Sequence, residues 1–277
     1  IYRNNEIIDD TGYLTDNLAR EAVSFVERHR AEPFFLYLPF NAVHWPLQAP
    51  KKDIDRFDTG EKNRDIYLAM LKRMDEGIGK VLDALKRTGV DEETLVFFFS
   101  DNGGARKNYA NNGKLRDFKQ SVYEGGIRVP FIVRWPGRLR AGSVCDQPTI
   151  CLDIMPTICA AVGAELPKGR VYDGKNMLPA LSGNRGAPLH EALFWDGGVS
   201  QWGVRAGKWK LLTNRQGLLE LYNLEEDLSE KNNVIENHRD IARRLGRLYS
   251  QWKSTMAPKL VKPGRDAKPD KARKRNK

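Results

Sequence analysis

The fold is decided by residues 95–104, which read Leu-Val-Phe-Phe-Phe-Ser-Asp-Asn-Gly-Gly. Five apolar residues end in a polar loop with two glycines, a pattern typical of a strand that is buried on both faces. A similar run, Phe-Phe-Leu-Tyr-Leu, occupies residues 34–38. Between the two runs, residues 64–87 have the apolar spacing of a long helix that ends at Gly89. Strand, helix and strand in this order predict a right-handed parallel βαβ unit and an α/β fold.

The flanking sequence predicts further elements of the same layer. Thr15 is expected to cap a helix that runs to about Arg30. Residues 129–133 are predicted to form a third strand. Asp153 is expected to cap a short helix to Ala161.

The sequence changes character after about residue 190, where short segments of alternating polarity replace the long apolar runs. Three of them predict a small antiparallel sheet with turns at Gly207 and Gly217. These are residues 204–206, 209–212 and 219–222. An amphipathic helix near Leu245 is expected to pack against the sheet.

Composition limits the classes of function. The chain has 277 residues, 40% of them hydrophobic, which excludes a disordered or collagen-like protein, and no apolar run is long enough for a membrane span. The net charge is +10, but residues 258–277 alone hold nine Lys or Arg against two Asp. The basic character therefore belongs to a tail, predicted to be disordered, and no nucleic-acid partner is expected.

Polar loops follow the two apolar runs. One contains His44, and the other places Asp101 and Asn102 side by side. The carboxyl ends of parallel strands are where open α/β sheets bind ligands, and these oxygens are of the kind that calcium and magnesium take. Taken alone, Asp-Asn-Gly-Gly is more often a turn than a metal site, and a single loop histidine more often makes a structural hydrogen bond.

A third segment, residues 112–130, contains Lys119 five residues before Glu124-Gly125-Gly126. Alone, its cations would be read as solvated surface. In order and spacing, however, the three segments together match one family. The chain resembles the type I sulfatases, of the arylsulfatase and N-acetylhexosamine-6-sulfatase kind.

The resemblance implies an α/β fold with an alkaline-phosphatase-like mixed sheet flanked by helices, and a small C-terminal subdomain of antiparallel sheet plus helix. On this basis residues 1–186 are the C-terminal part of the sulfatase α/β domain. Residues 187–256 are the small subdomain, and residues 257–277 are a disordered basic tail.

The resemblance also implies roles for individual residues. Asp101 and Asn102 would ligate a calcium ion that holds a sulfate oxygen. His44 would contact the sulfate and protonate the departing alcohol, and Lys119 would neutralise sulfate charge. Trp45 is expected to contact the substrate, for which a sulfated carbohydrate is favoured over a small aryl sulfate. Selectivity is expected in the loops around Trp45, residues 108–112 and residues 196–202.

The family's nucleophile, a formylglycine made from Cys or Ser in a Cys/Ser-x-Pro-x-Arg motif, has no counterpart here. Cys145, Cys151 and Cys159 lie in other contexts, as do all the serines. The three cysteines are interpreted as structural or free. Residues 9–10 form an Asp-Asp pair, but the weakly apolar sequence before it is typical of a loop and not of the family's metal-binding strand.

We therefore expect the C-terminal portion of a sulfatase, with half of its active site and the formylglycine in a missing N-terminal part. By itself this portion should be inactive, and an exposed sheet edge should make it prone to aggregate. Relatives are commonly periplasmic, secreted or lysosomal, and any signal would precede Ile1. The alternatives are a phosphodiesterase or phosphonate hydrolase of the same superfold, a non-catalytic module that binds polyanions through the tail, and a degenerate homologue.

Overall fold

A computed structural model describes residues 1–184, 186–197 and 201–257. The helices are α1 (Leu14–His29), α2 (Lys51–Ile54), α3 (Lys62–Arg87), α4 (Glu124–Ile127), α5 (Ile154–Val162), α6 (Leu178–Leu181) and α7 (Arg239–Ser254). The strands are β1 (Tyr2–Arg3), β2 (Glu6–Ile7), β3 (Val96–Phe99), β4 (Phe131–Arg134), β5 (Leu193–Asp196), β6 (Trp202–Ala206), β7 (Trp209–Thr213) and β8 (Leu219–Asn223). Of the predicted basic tail, residues 257–277, the part from residue 258 onwards lies outside the described residues.

Helices α1 and α3 pack closely because small residues face each other. A Cβ atom placed on Gly77 would lie 3.0 Å from the Cβ of Ala19, so the backbones approach as near as the side chains allow. The predicted helix over residues 64–87 is confirmed as α3. The predicted cap at Thr15 is wrong: α1 begins at Leu14, Tyr13 takes the extended N-cap position, and Thr15 is buried inside the first turn.

The predicted parallel βαβ unit is also wrong for the described residues. β3 pairs with β4 in an antiparallel ladder, with Phe99 opposite Phe131. Residues 34–38 form no strand there, because none of the described segments provides a hydrogen-bonded neighbour for their backbone. Their side chains still alternate: Phe34 and Leu36 pack with the core between α1 and α3, whereas Phe35 is 71% exposed.

One side of this layer is open. The apolar stripe of α3, including Met74 and Ile78, lines a cavity of about 2080 Å³ together with residues 34–38 and the β3 strand. Elsewhere on α3, Gly77 faces Ala19 of α1, and Ala84 and Leu85 pack with Val26 of α1 in a buried cluster.

The C-terminal sheet has the strand order β5-β6-β7-β8, antiparallel throughout. The three predicted strands and the turns at Gly207 and Gly217 are confirmed, and β5 is an additional strand. Helix α7 covers one face through Leu245, which packs on Leu211. The opposite face packs on Val122 and Tyr123, in the segment that follows Lys119. The small sheet therefore supports the candidate site directly.

Helix α5 follows Asp153 as predicted, but the Asp153 carboxylate does not cap it. This carboxylate is fully buried and accepts hydrogen bonds from the backbone N–H groups of Ile150 (2.9 Å) and Lys175 (2.7 Å) and from His190 Nε2 (2.9 Å). It joins the start of α5 to the segment before β5.

Other expectations concern single features. The three cysteines are free, as interpreted. Residues 9–10 lie in a loop, where Asp10 pairs with Arg20 at 3.3 Å. Among the described helices, none has the length and apolar character needed to cross a membrane. The boundary near residue 186 stays a prediction.

Candidate active site

Three loops that are hydrogen-bonded to one another line the open cavity. His44, Asp101, Asn102 and Lys119, the residues singled out from the sequence, all line it, and so does Trp45. The structure therefore brings together side chains that are up to 75 positions apart in the sequence. Of the third loop predicted to govern selectivity, residues 198–200 lie outside the described residues.

The Asp101 loop leaves the end of β3 and packs backbone on backbone against the turn of α4. Gly103 N–H donates to the Gly126 carbonyl at 3.0 Å. A Cβ on Gly103 would lie 1.8 Å from the Gly125 carbonyl oxygen, so no other residue type fits. Within the loop, Asn102 Nδ2 donates to Asp101 Oδ1 at 2.6 Å and Ser100 Oγ donates to the Asn102 carbonyl at 3.0 Å.

The His44 imidazole has a defined orientation. Its Nδ1 lies 2.7 Å from the Trp45 carbonyl oxygen. Because a carbonyl only accepts, Nδ1 holds the hydrogen in this contact, which leaves Nε2 as the second ring nitrogen. The loop is tied to the segment after the Asp101 loop by the buried Asn108, whose Nδ2 donates to the Val43 carbonyl at 2.9 Å.

Lys119 lies in a turn of unusual backbone geometry. Asp117 and Gln120, on either side of it, have φ angles of +63° and +72°. Residues other than glycine adopt this left-handed conformation only at a cost of about 1–2 kcal/mol each. The turn is held to the Asp101 loop by Lys119 N–H, which donates to the Gly104 carbonyl at 3.0 Å.

The candidate metal ligands are few in number. Asp101 and Asn102 supply a carboxylate and an amide oxygen, the donors that Ca²⁺ prefers, but Ca²⁺ takes six to eight oxygens. Within residues 1–184, 186–197 and 201–257, His, Cys, Asp and Glu side chains form no group of three or more that could hold a metal. The chemistry of the donors fits calcium, and their number fits part of a site.

Residues 108–112 were expected from the sequence to govern selectivity, and their role in holding these loops in place was missed. The Asn112 carboxamide contacts Gly104, Asp117 and Gly125. The sequence offered only a weak signal for these contacts, because Asn112 is one of several asparagines in a segment rich in glycine and asparagine.

A buried ion cluster under the site was also missed. The Lys210 ammonium of β7 lies 2.8 Å from Glu124 Oε1 and 2.8 Å from Glu230 Oε1, and all three side chains are at most 2% exposed. Burial acts to raise the pKa of Glu124, but Lys210 and two guanidinium groups outweigh it, and the pKa is lowered. Burial dominates at Glu230, so its pKa is raised. The cluster fixes the C-terminal sheet to the start of α4.

A second polar cluster lies beside it. The Glu220 carboxylate accepts hydrogen bonds from the hydroxyls of Tyr123 and Tyr222, and the Arg116 guanidinium lies 4.0 Å from the Tyr123 ring centroid. Burial and the Glu220 carboxylate raise the pKa of both tyrosines. Both therefore remain neutral donors at physiological pH, a structural role.

A carboxylate, an amide, an imidazole and an ammonium thus line one cavity of an α/β layer. Comparison with known proteins identifies the family. The sulfatase family model matches residues 1–164, and the model for the C-terminal part of N-sulphoglucosamine sulphohydrolase matches residues 115–254. The chain belongs to the sulfatase family.

Curated relatives extend well beyond the matched region. Mouse steryl-sulfatase is 40% identical over 193 residues, which cover 67% of this chain and 30% of that protein. Human arylsulfatase H is 39% identical over 210 residues, covering 72% of this chain and 36% of that protein. The chain thus spans about a third of the length of these relatives.

The solved structures agree on the fold. The structure of Ps i-CgsB superposes with a TM-score of 0.86 at 36% identity, covering 90% of this chain and 56% of that one. A phosphonate monoester hydrolase from Silicibacter pomeroyi superposes with a TM-score of 0.54 at 24% identity, which shows a shared fold alone. The predicted alkaline-phosphatase-like fold class is confirmed.

Proposed function

We propose that residues 1–277 are part of a calcium-dependent sulfatase that hydrolyses a sulfate ester of a carbohydrate. The observation that supports this most directly is the convergence of His44, Asp101, Asn102 and Lys119 on one cavity in a member of the sulfatase family. A carbohydrate substrate is favoured because Ps i-CgsB was solved in complex with k-i-k-neocarrahexaose. A dog relative, 35% identical, is named N-acetylgalactosamine-6-sulfatase.

Each side chain is suited to one task. The Lys119 ammonium binds sulfate oxygens and offsets their charge. Asp101 and Asn102 hold the calcium ion, which when bound polarises the sulfate group. His44 Nε2 donates a proton to the ester oxygen, since an alkoxide is a poor leaving group until it is protonated. Trp45, 48% exposed beside His44, offers an apolar ring face to a sugar.

The nucleophile is proposed to come from outside residues 1–277. The Cys/Ser-x-Pro-x-Arg context needed for formylglycine is not found in this sequence. The two oxygen ligands likewise leave most of a calcium shell to be completed by other residues. Residues 1–277 alone are therefore expected to leave sulfate esters intact.

The test compares residues 1–277 with a longer polypeptide that includes them, using an aryl sulfate, a sulfated oligosaccharide and a phosphonate monoester. We expect hydrolysis of the sulfate esters by the longer polypeptide only, with loss of activity when calcium is chelated. In that polypeptide, Lys119→Ala and His44→Gln should each reduce kcat/KM by about 10²-fold or more.

Lys114→Ala provides the matched control, because Lys114 is an exposed lysine of the same segment. Metal-dependent hydrolysis by residues 1–277 themselves would contradict the proposal. So would a Lys119→Ala variant with the activity of the control, or faster cleavage of the phosphonate monoester than of both sulfate esters.

A further inference from the structure

The Asn112 side chain lies where the Asp101 loop, the Lys119 turn and the α4 turn meet. Its Oδ1 accepts a hydrogen bond from Gly104 N–H at 3.0 Å. Its Nδ2 donates to the carbonyl of Asp117 at 3.0 Å and to that of Gly125 at 3.0 Å, with the Gly104 carbonyl at 3.3 Å. One carboxamide therefore satisfies backbone groups of all three segments.

These backbone groups adjoin the candidate site residues. Gly104 follows Asn102 by two positions, and its carbonyl accepts the hydrogen bond of Lys119 N–H. Asp117 precedes Lys119 by two positions. A displacement of the Asn112 side chain would thus be passed to Lys119 by two routes, through Asp117 and through the Gly104 carbonyl.

The geometry requires asparagine in particular. An aspartate has the same shape but no N–H donors for the two carbonyls, and a glutamine is longer by one methylene group. The contacts leave little space for adjustment, because a Cβ on Gly125 would lie 2.2 Å from the Asp117 carbonyl oxygen. The left-handed backbone at Asp117 persists only where the surroundings hold it, and Asn112 binds that residue's carbonyl.

We propose that Asn112 is a positioning residue that sets the distance between the Lys119 ammonium and the Asp101–Asn102 pair. The inference rests on the proposed function, since it assigns Asn112 an effect on sulfate binding through Lys119. Asn112 itself touches backbone groups and takes no part in proton transfer or metal ligation.

The test is a double-mutant cycle in the longer, active polypeptide. Asn112→Asp is expected to lower kcat/KM for a sulfate ester by about 10- to 100-fold, mainly through KM, because a displacement of about 1 Å at a binding group has this effect. In a Lys119→Ala background the same substitution should cost less than threefold, because the ammonium that Asn112 positions is gone. Asn232→Asp, an exposed site in the C-terminal subdomain, is the control.

The outcomes separate the two proposals. If Lys119→Ala has no effect, the proposed function fails. If Lys119→Ala lowers kcat/KM but Asn112→Asp does not, the role of Asn112 is refuted. It is also refuted if the two effects multiply fully in the double mutant, because Asn112 would then act independently of Lys119.

A second measurement needs no activity. In residues 1–277, Asn112→Ala should speed amide hydrogen exchange at Gly104 and Lys119 at least tenfold, while exchange in α7 is unchanged. Equal exchange at Gly104 and Lys119 in the variant and the unmodified chain would overturn the inference.

Discussion

Lys210→Met would test how strongly the C-terminal sheet is joined to the candidate site. The methionine side chain retains the length and apolar contacts of lysine but lacks the ammonium group, which lies 2.8 Å from both Glu124 and Glu230. The substitution leaves two carboxylates in a fully buried position. Glu124 is the first residue of α4, and the Gly126 carbonyl of α4 accepts the Gly103 N–H of the Asp101 loop. A displacement of Glu124 should therefore also displace the Asp101 loop.

The expected loss follows from what remains around the carboxylates. Glu230 Oε2 still accepts the Glu124 N–H at 2.6 Å, and Arg128 lies 3.5 Å from Glu124 Oε2. Arg128 therefore offsets part of the Glu124 charge, whereas Glu230 loses the cation that faced it. About one uncompensated carboxylate is left, and removing one partner of a buried ion pair costs about 3–5 kcal/mol. We expect the free energy of unfolding to fall by that amount at pH 7.

The loss should depend on pH in a definite direction. In the unmodified chain the pKa of Glu124 is lowered, so its contribution to stability is present above the pKa of the unfolded state and disappears as the pH falls. In the variant burial is no longer offset by Lys210, so both carboxyl pKa values rise, and protonation removes the penalty. The difference in stability between the two proteins should therefore shrink from pH 7 towards pH 4.

Urea unfolding followed by tryptophan fluorescence measures both effects, since the Trp195 ring lies 5.8 Å from Lys210 Nζ. Lys80→Met, an exposed lysine of α3, is the matched control and should change stability by less than about 0.5 kcal/mol. Adding Glu124→Gln and Glu230→Gln to Lys210→Met should restore most of the lost free energy of unfolding, because the two buried carboxylates are then replaced by neutral amides. A loss below about 1 kcal/mol, or one that grows on acidification, would refute this reasoning.

Three further predictions concern other parts of the chain. Gly125→Ala should destabilise it by at least about 2 kcal/mol, because the new Cβ would lie 2.2 Å from the Asp117 carbonyl oxygen. Gly79→Ala is the control: this glycine lies in α3, and no atom would lie within 4 Å of the new Cβ, so the chain should become more stable by about 0.5–1 kcal/mol. Equal changes in the free energy of unfolding for the two variants, measured by urea unfolding, would contradict the packing around Gly125. The open apolar cavity should make residues 1–277 bind a hydrophobic dye and self-associate; a monodisperse monomer that leaves the dye dark would argue against it. Deleting residues 257–277 should lower the salt concentration at which the chain leaves a heparin column, and an unchanged elution would dispose of a tail that binds polyanions.

The position of the candidate site residues could be predicted in part from local sequence. Asp101 and Asn102 follow the apolar strand after a single residue, Ser100, which places a carboxylate and an amide just beyond a strand end. Taken alone this motif is more often a turn, and the site was predicted only from the match of three segments to one family. The long helix α3 and the hairpins at Gly207 and Gly217 follow from apolar spacing and from turn residues within a short window.

The errors arose where an element depends on a distant neighbour. Residues 34–38 have the composition of a buried strand, but a strand needs a hydrogen-bonded partner, and the described residues provide none beside them. The partner of β3 is β4, and its antiparallel direction is set by the path of the chain between them and not by either strand's composition.

The sequence by itself determined which residue types stand in the three loops, and so the chemistry available to the candidate site. Only the tertiary structure decided how they are held. Lys210 and Glu124 are 86 positions apart, and their pairing depends on the β7 face that turns towards α4. Asn112 has ordinary neighbours in the sequence, and its importance comes from three backbone segments that fold around one carboxamide. Such contacts depend on where distant segments pack, which no local pattern specifies.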